Sequence, residues 1–298
     1  MGAFAPAPFP TVRFGGICAR GTSTGLVRPL GFDRLMGPGS RDRERAARGA
    51  GAVTTERAAE PARGRISWIV PTFNEAPIIA DTLRQILQWA ASTNRSIEPI
   101  VVDDGDDRLE EQLESAEFAG VKYVRGPGRG KGAAVREGIL RSTKDIVVYC
   151  DADLPLSFAD VEACVAAVEG GRASHAVPER SWTFHGPVRT VASVVLWALQ
   201  CAIVFRERRF FDTQCGLKVF RRELAARLAS EQISEGGMFD IEYLYRATQL
   251  GEPVFKTRVV QKPEIRPSKI RVLQCLVRDP IDLARIRARV PPPVRKGG

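Results

Sequence analysis

The sequence predicts an α/β protein built on an open sheet flanked by helices. Three observations carry this reading: short β-branched apolar runs, helical patterns between them, and a cluster of polar or acidic residues after each run. The runs are Ile66-Ser-Trp-Ile-Val70, Ile100-Val-Val102 and Ile146-Val-Val-Tyr-Cys150. Apolar segments this short, bounded by turn residues, fit parallel strands covered on both faces. Ile78 to about Ala91 and Ala133 to about Arg141 have helical periodicity, giving a β-α-β-β-α-β alternation. Ligands of such sheets bind at the carboxyl ends of the strands, so the residues following each run become the candidate site.

In chain order, residues 1–64 come first. They are rich in Gly, Pro, Ala and Arg and hold no sustained period or long apolar run, the texture of a disordered leader. An Arg-rich, acid-poor composition is also that of a transit peptide, and a translation start near Met36 or Val53 would remove the segment altogether. Residues 65–289 carry the alternating pattern and are expected to form the working domain. Residues 290–298, rich in Pro, Arg and Lys, read as a disordered basic tail. The chain of 298 residues can bury a full core, and its 44% hydrophobic and 27% charged content excludes fibrous and wholly disordered classes. A net charge of +9 favours anionic partners.

Cysteine and histidine usage narrows the chemistry. The six cysteines (Cys18, Cys150, Cys164, Cys201, Cys215, Cys275) show no Cys-x-x-Cys spacing, which argues against a zinc site or disulfide framework and fits a reducing compartment. With only His175 and His185 available, histidine-rich metal centres and Ser-His-Asp hydrolase schemes are poor candidates. Oxygen ligands are left for any metal.

The first run ends in Pro71-Thr-Phe-Asn-Glu75 and the second in Asp103-Asp-Gly105. Carboxylates of Asp103 and Asp104 at a sheet edge can accept hydrogen bonds from a nucleobase or ribose; capping a strand-to-helix turn is the competing role. Gly126-Pro-Gly-Arg-Gly-Lys-Gly132 is a basic glycine-rich loop entering a helix, a way to bring Lys131 and main-chain N–H groups to phosphate oxygens. It departs from the Walker A order at Gly132. Aromatic interleaving is absent, so no nucleic-acid partner is expected. Asp151 and Asp153, one residue apart after the third run, can reach one hard cation that also binds a diphosphate, directly or through water; a surface turn explains most isolated Asp-x-Asp occurrences. Farther on, Thr190 to Phe205 is apolar almost all round. It is shorter than the roughly 20 residues that cross a bilayer, and two readings stay open: a buried core helix, or a helix lying in a membrane interface between Arg189 and Arg206, Arg208 and Arg209.

Together, Pro71-Thr-Phe-Asn-Glu75, Val102-Asp-Asp-Gly105, Gly130-Lys-Gly-Ala-Ala-Val-Arg-Glu-Gly138, Asp151-Ala-Asp153, Asp212-Thr-Gln-Cys-Gly216 and Phe239-Asp-Ile-Glu242 resemble the family 2 glycosyltransferases, within them the dolichyl-phosphate glucosyltransferases and mannose synthases. The resemblance covers about Arg65 to Arg289. It implies an A-type glycosyltransferase fold, a Rossmann-like mixed sheet flanked by helices with C-terminal interfacial helices, and residues 65–289 as a glycosyltransferase domain. It further implies that Pro71, Phe73, Glu75 and Asp103 line a nucleoside pocket with Lys131 and Asp151 nearby. Asp153, assisted by Asp151, would hold Mg2+ or Mn2+; Arg180 and Lys269 would grip an acceptor phosphate; Gln214 and Asp240 would face the sugar and acceptor. The chain departs from the family in having Val177-Pro-Glu-Arg180 where Gly-Ser-Arg is usual, and Pro155 near a glutamine that mannose synthases offer to the metal.

The expected activity is inverting, metal-dependent transfer of a hexose from a nucleoside-diphosphate sugar, UDP-linked in preference to GDP-linked, to a polyprenyl or dolichyl phosphate. The expected setting is the cytoplasmic face of a membrane, held peripherally by the interfacial helix and basic patches. Two other readings remain open: a family 2 glycosyltransferase acting on a soluble hydroxyl acceptor with Asp240 as base, and a non-catalytic nucleotide-sugar-binding protein.

Overall fold

The computed structural model describes residues 64–106, 108–181, 187–205, 210–262 and 272–290. The leader read over residues 1–64 and the tail over 290–298 fall outside these, save Gly64 and Val290, as do Lys269, Arg206, Arg208 and Arg209. The three apolar runs form strands β1 (Ile66–Thr72), β2 (Ile97–Asp103) and β4 (Ile146–Cys150), with β3 (Lys122–Arg125) between the last two in sequence. β1 pairs in parallel with both β2 and β4, and β2 with β3. The expected helices are α1 (Ala76–Ser92) and α3 (Lys131–Arg141), and a short α2 (Leu109–Leu113) precedes β3.

The second half adds α4 (Phe158–Glu169), β5 (His175–Arg180), α5 (Pro187–Leu199), β6 (Leu217–Arg221), α6 (Arg222–Ser230), α7 (Phe239–Gln249), β7 (Val254–Val259) and α8 (Val272–Arg289). The seven strands run β3-β2-β1-β4-β6-β5-β7. β6 lies antiparallel to β4 and β5, so the sheet is mixed, as expected of the A-type fold. α4 starts on a capped turn: the Ser157 hydroxyl accepts from the Asp160 N–H at 3.2 Å and donates to the Asp160 carboxylate at 2.6 Å.

Alternating side chains split the core into two layers, one on each face of the sheet. Trp68 and Val70 pack with Ile79, Leu83, Ile86 and Val165 of α1 and α4. Ile69, Val147 and Tyr149 pack with Val135, Ile139, Leu228 and Phe239 of α3, α6 and α7. With both faces covered, hydrophobicity along β1 is continuous rather than alternating, which is why these runs read as strands without a period of two.

The apolar stretch from Thr190 is α5, continued from Gln200 to Phe205 as a wider π-type turn. It is not enclosed. Val204 packs with Met238, Ile241, Leu283 and Ile286, and Leu196, Leu199 and Ile203 lie against that cluster. Val191, Val194 and Val195 are 62%, 39% and 40% exposed. The core-helix reading therefore holds for one face only.

Candidate active site

The parallel strands deliver Thr72, Asp103 and Cys150 to one edge of the sheet, with Thr72 beside Asp103 and Asp103 beside Arg125. Beyond β1 the chain passes through Phe73, 56% exposed, and Asn74, whose φ is +56°, to Glu75 at the head of α1. Asp103 is buried at this edge. Its Oδ1 accepts from the Thr72 hydroxyl at 2.9 Å and the Gly105 N–H at 3.0 Å; its Oδ2 meets Tyr123 Oη and Arg125 Nη1, each at 3.4 Å. Beside it opens a cavity of about 330 Å³ lined by Asp103, Asp106, Arg108, Leu109, Glu110, Glu111, Tyr123 and Arg125, and by none of Pro71, Phe73 and Glu75. Four donors occupy this carboxylate, so a planar polar base would have to displace the two long contacts at 3.4 Å, with the Tyr123 ring beside it.

Asp104 is engaged by the glycine-rich loop, accepting from the N–H of Gly128 at 2.8 Å and of Gly130 at 3.4 Å. It thereby ties the end of β2 to the approach of α3. α3 begins at Lys131, and Gly132 has no space for a side chain: a β-carbon there would lie 2.8 Å from the carbonyl oxygens of Ser234 and Gly236. The Ala133 N–H donates to the Glu235 carbonyl at 3.1 Å, so the segment before α7 closes on the start of α3.

Asp151 follows β4, and its N–H donates to the Gly216 carbonyl at 2.8 Å. A β-carbon on Gly216 would overlap Asp151 Oδ2, so the Asp-Thr-Gln-Cys-Gly block folds directly against Asp-x-Asp. Lys131 Nζ lies 2.6 Å from Asp151 Oδ1. Burial lowers the lysine's pKa, but Asp151 and Asp240 outweigh it and the net shift is upward. Asp153 is shifted upward too, first by burial and then by the charge of Asp151. Its Oδ1 is buried and makes no hydrogen bond. A carboxylate oxygen in that state lacks a cation or donor, so the pair fits an oxygen-loving divalent metal. Among the described residues no group of three or more His, Cys, Asp or Glu side chains is arranged to hold a metal. Two carboxylates completed by diphosphate oxygens and water is a usual shell for Mg2+.

Behind this edge lies a buried polar group that sequence reasoning missed in part. Asp240, 3% exposed in the first turn of α7, accepts a hydrogen bond from the Tyr149 hydroxyl and stands 3.5 Å from Lys218 Nζ. Lys218, fully buried in β6, donates to the Cys215 carbonyl at 2.7 Å and so supports the turn on which Asp151 rests. A lysine between Leu217 and the apolar pair Val219-Phe220 was the available signal. At the end of β5, Arg180 grips Asp212 through Nε at 2.5 Å and Nη2 at 3.0 Å, and Nη1 reaches Gln261 at 3.2 Å. Burial works against the charge of both partners, but the ion pair prevails, raising the arginine's pKa and lowering that of Asp212. Asp212 also accepts the Gln214 N–H at 2.9 Å, and Gln214 Nε2 approaches the Gly237 carbonyl at 3.5 Å. Arg180 thus holds the block that contains Gln214. A recess of about 420 Å³ lies elsewhere, at the opposite sheet edge between Ser174, Arg221, Arg227 and Glu252, and contains none of the candidate residues.

A mixed sheet with an aspartate pair, a basic helix start and a buried carboxylate gathered at its carboxyl edge defines a glycosyltransferase of the A-type fold. The profile of Glycosyl transferase family 2 matches residues 67–226, and the chain belongs to that family. The dolichyl-phosphate beta-glucosyltransferase of Mus musculus is 30% identical over 252 residues, covering 76% of this chain and 75% of the relative. The glucosyl-3-phosphoglycerate synthase of Mycobacterium tuberculosis, solved with Mn2+, UDP and phosphoglyceric acid, superposes with a TM-score of 0.57 at 20% identity, over 76% of this chain and 80% of that one. The mannosyltransferase PcManGT of Pyrobaculum calidifontis, solved with GDP-Man and Mn2+, gives a TM-score of 0.53 at 20% identity, over 78% and 67%. The resemblance drawn from the motifs and the expected fold are both borne out.

Proposed function

We propose that this family 2 glycosyltransferase transfers a hexose, with inversion, from a nucleoside-diphosphate sugar to a polyprenyl or dolichyl phosphate, using Mg2+ or Mn2+ at Asp151 and Asp153. The observation that carries the donor half is the unpartnered buried Oδ1 of Asp153 beside Asp151 and Lys131, at the sheet edge that also holds Asp103. Relatives named dolichyl-phosphate beta-glucosyltransferase support a glucosyl donor and a lipid phosphate acceptor, and a UDP-linked donor is the form proposed. Structures of the same fold holding UDP or GDP-Man with Mn2+ support the donor class.

In this reading Pro71, Phe73, Glu75 and Asp103 bind the nucleoside, Lys131 the diphosphate and Gln214 the sugar, while Arg180 and Lys269 position the acceptor. A bound divalent cation would neutralise charge on the leaving nucleoside diphosphate. An acceptor phosphate oxygen attacks the anomeric carbon as the bond to the diphosphate breaks. The second pKa of a phosphate monoester is about 6, so the nucleophile is already anionic near neutrality and no base is needed. The enclosure of Asp240 between Tyr149 and Lys218 supports this acceptor over a hydroxyl, which would require that carboxylate to reach it.

The exposed valines of α5 support peripheral association with a membrane, and the cytoplasmic face is the side proposed. The free, buried thiols of Cys150, Cys164 and Cys215 fit a reducing compartment. Among the described residues no helix is long and apolar enough to cross a membrane. The test is a screen of purified protein with Mn2+, UDP-glucose or GDP-mannose, and polyprenyl phosphate or soluble hydroxyl acceptors. Release of UDP that requires polyprenyl phosphate is the expected result; turnover with hydroxyl acceptors alone, or no turnover, would reject the proposal.

A further inference from the structure

The geometry points to Lys131 as the residue that couples the divalent cation to the donor, by dividing its time between Asp151 and the diphosphate. This inference rests on the donor reading above. Three contacts around Asp151 carry it. Lys131 Nζ holds Oδ1 at 2.6 Å. Oδ2 is packed against Gly216 so closely that no β-carbon fits between them. The main-chain N–H is tied to the Gly216 carbonyl at 2.8 Å. The carboxylate therefore has little freedom to turn away from the ammonium, and a cation arriving at Asp151 and Asp153 meets a positive charge already bound to one of its two ligands.

Lys131 is free to give way. Its side chain is 36% exposed and its stem is flexible, so the ammonium can swing away from Asp151 although the start of α3 itself is closed by the Ser234–Gly236 carbonyls. A diphosphate bound beside Asp151 and Asp153 offers the ammonium another partner and releases Asp151 Oδ1 to the cation. Asp153 Oδ1, unpartnered throughout, needs no such exchange. The metal and the nucleotide then each strengthen the other's binding, and by linkage the two factors are equal. Lys131 is thus more than a phosphate contact: it holds the metal site weak until the donor arrives.

The experiment measures Mn2+ binding to the purified full chain, by paramagnetic resonance of free Mn2+, with and without UDP. For Lys131→Met we expect Mn2+ to bind about tenfold more tightly without nucleotide, a value within the usual range of coupling between sites, and UDP to enhance Mn2+ binding by a correspondingly smaller factor. Lys131→Gln should behave like Lys131→Met and supplies the answer if the methionine variant does not fold, while Lys131→Arg should keep Mn2+ binding weak. A side chain that only supported the helix start would not tighten metal binding when removed. Unchanged or weaker Mn2+ binding by the neutral variants, in a protein whose wild type binds Mn2+ and UDP, overturns this inference alone. Failure of Mn2+ to bind any of these proteins, with or without UDP, overturns it together with the donor reading.

Discussion

Asp151 Oδ2 and the α-carbon of Gly216 are close enough that the two halves of the site fit only because residue 216 lacks a side chain. Gly216→Ala should push the Asp151 carboxylate aside, and since misplacement by about 1 Å can cost about a hundredfold in rate, a loss of that order in kcat/KM is expected with the fold retained. Steady-state kinetics beside circular dichroism would check it. Asp240 calls for a two-part measurement. Asp240→Asn leaves Lys218 buried without its counter-charge, so stability to urea should drop by about 3 kcal/mol. Turnover per folded molecule should stay near that of the wild type, because the anionic acceptor needs no base; a loss of several orders of magnitude would instead make Asp240 the base for a hydroxyl acceptor.

Among the elements, α5 shows how an apolar pattern leaves a location undecided. Thr190 to Phe205 is apolar on nearly every side, so its sequence carries no stripe to orient it. Packing supplies the orientation: Leu196, Leu199, Ile203 and Val204 meet the cluster of Met238, Ile241, Leu283 and Ile286, leaving Val191, Val194 and Val195 outward. Replacing Val194 and Val195 together by glutamate should change stability by no more than about 0.5 kcal/mol per site, as exposed positions usually do. It should lower co-sedimentation with phosphatidylcholine vesicles carrying polyprenyl phosphate. Unaltered vesicle binding would remove α5 from the membrane contact.

On the scale of the whole molecule, the edge opposite the site is held by one buried carboxylate that links three strands and a turn. Glu98 of β2 accepts from the Ser67 hydroxyl of β1 at 2.6 Å, from the Thr143 N–H before β4 at 3.0 Å, and from the Lys122 ammonium at the start of β3. Burial alone would raise its pKa, but Lys122, Ser67 and Thr143 together bring it from an ordinary 4.5 down to about 2. A pKa lowered on folding means the stabilisation is complete above the unfolded value near 4.5 and disappears as the pH falls through about 2. Glu98→Gln should therefore cost about 3 kcal/mol at pH 7 and almost nothing near pH 2, a difference that urea titrations at the two pH values would measure. A penalty independent of pH would assign the effect to shape rather than charge.

Much of the fold was legible in the chain itself. The runs at Ile66, Ile100 and Ile146, and the helices between them, follow from apolar continuity and periodicity, which are local properties. The clusters after those runs were legible for the same reason: parallel strands send their ends to one edge, so Asp103 and Asp151 had to meet there. The sequence alone could not decide contacts that depend on reversal and long-range packing. β6 enters antiparallel beside β4, bringing Gly216 against Asp151, 65 residues earlier, and α7 brings Asp240 to Lys218, 22 residues earlier; no spacing along the chain encodes either partner. The same holds for Arg180: its charge was legible in the sequence, but only packing shows that Asp212 and Gln261 hold it in place. Residue type and local period determined which chemistry this protein carries; tertiary packing, through burial and the exclusion of side chains, decided which carboxylates are engaged and which oxygen, that of Asp153, is left without a partner.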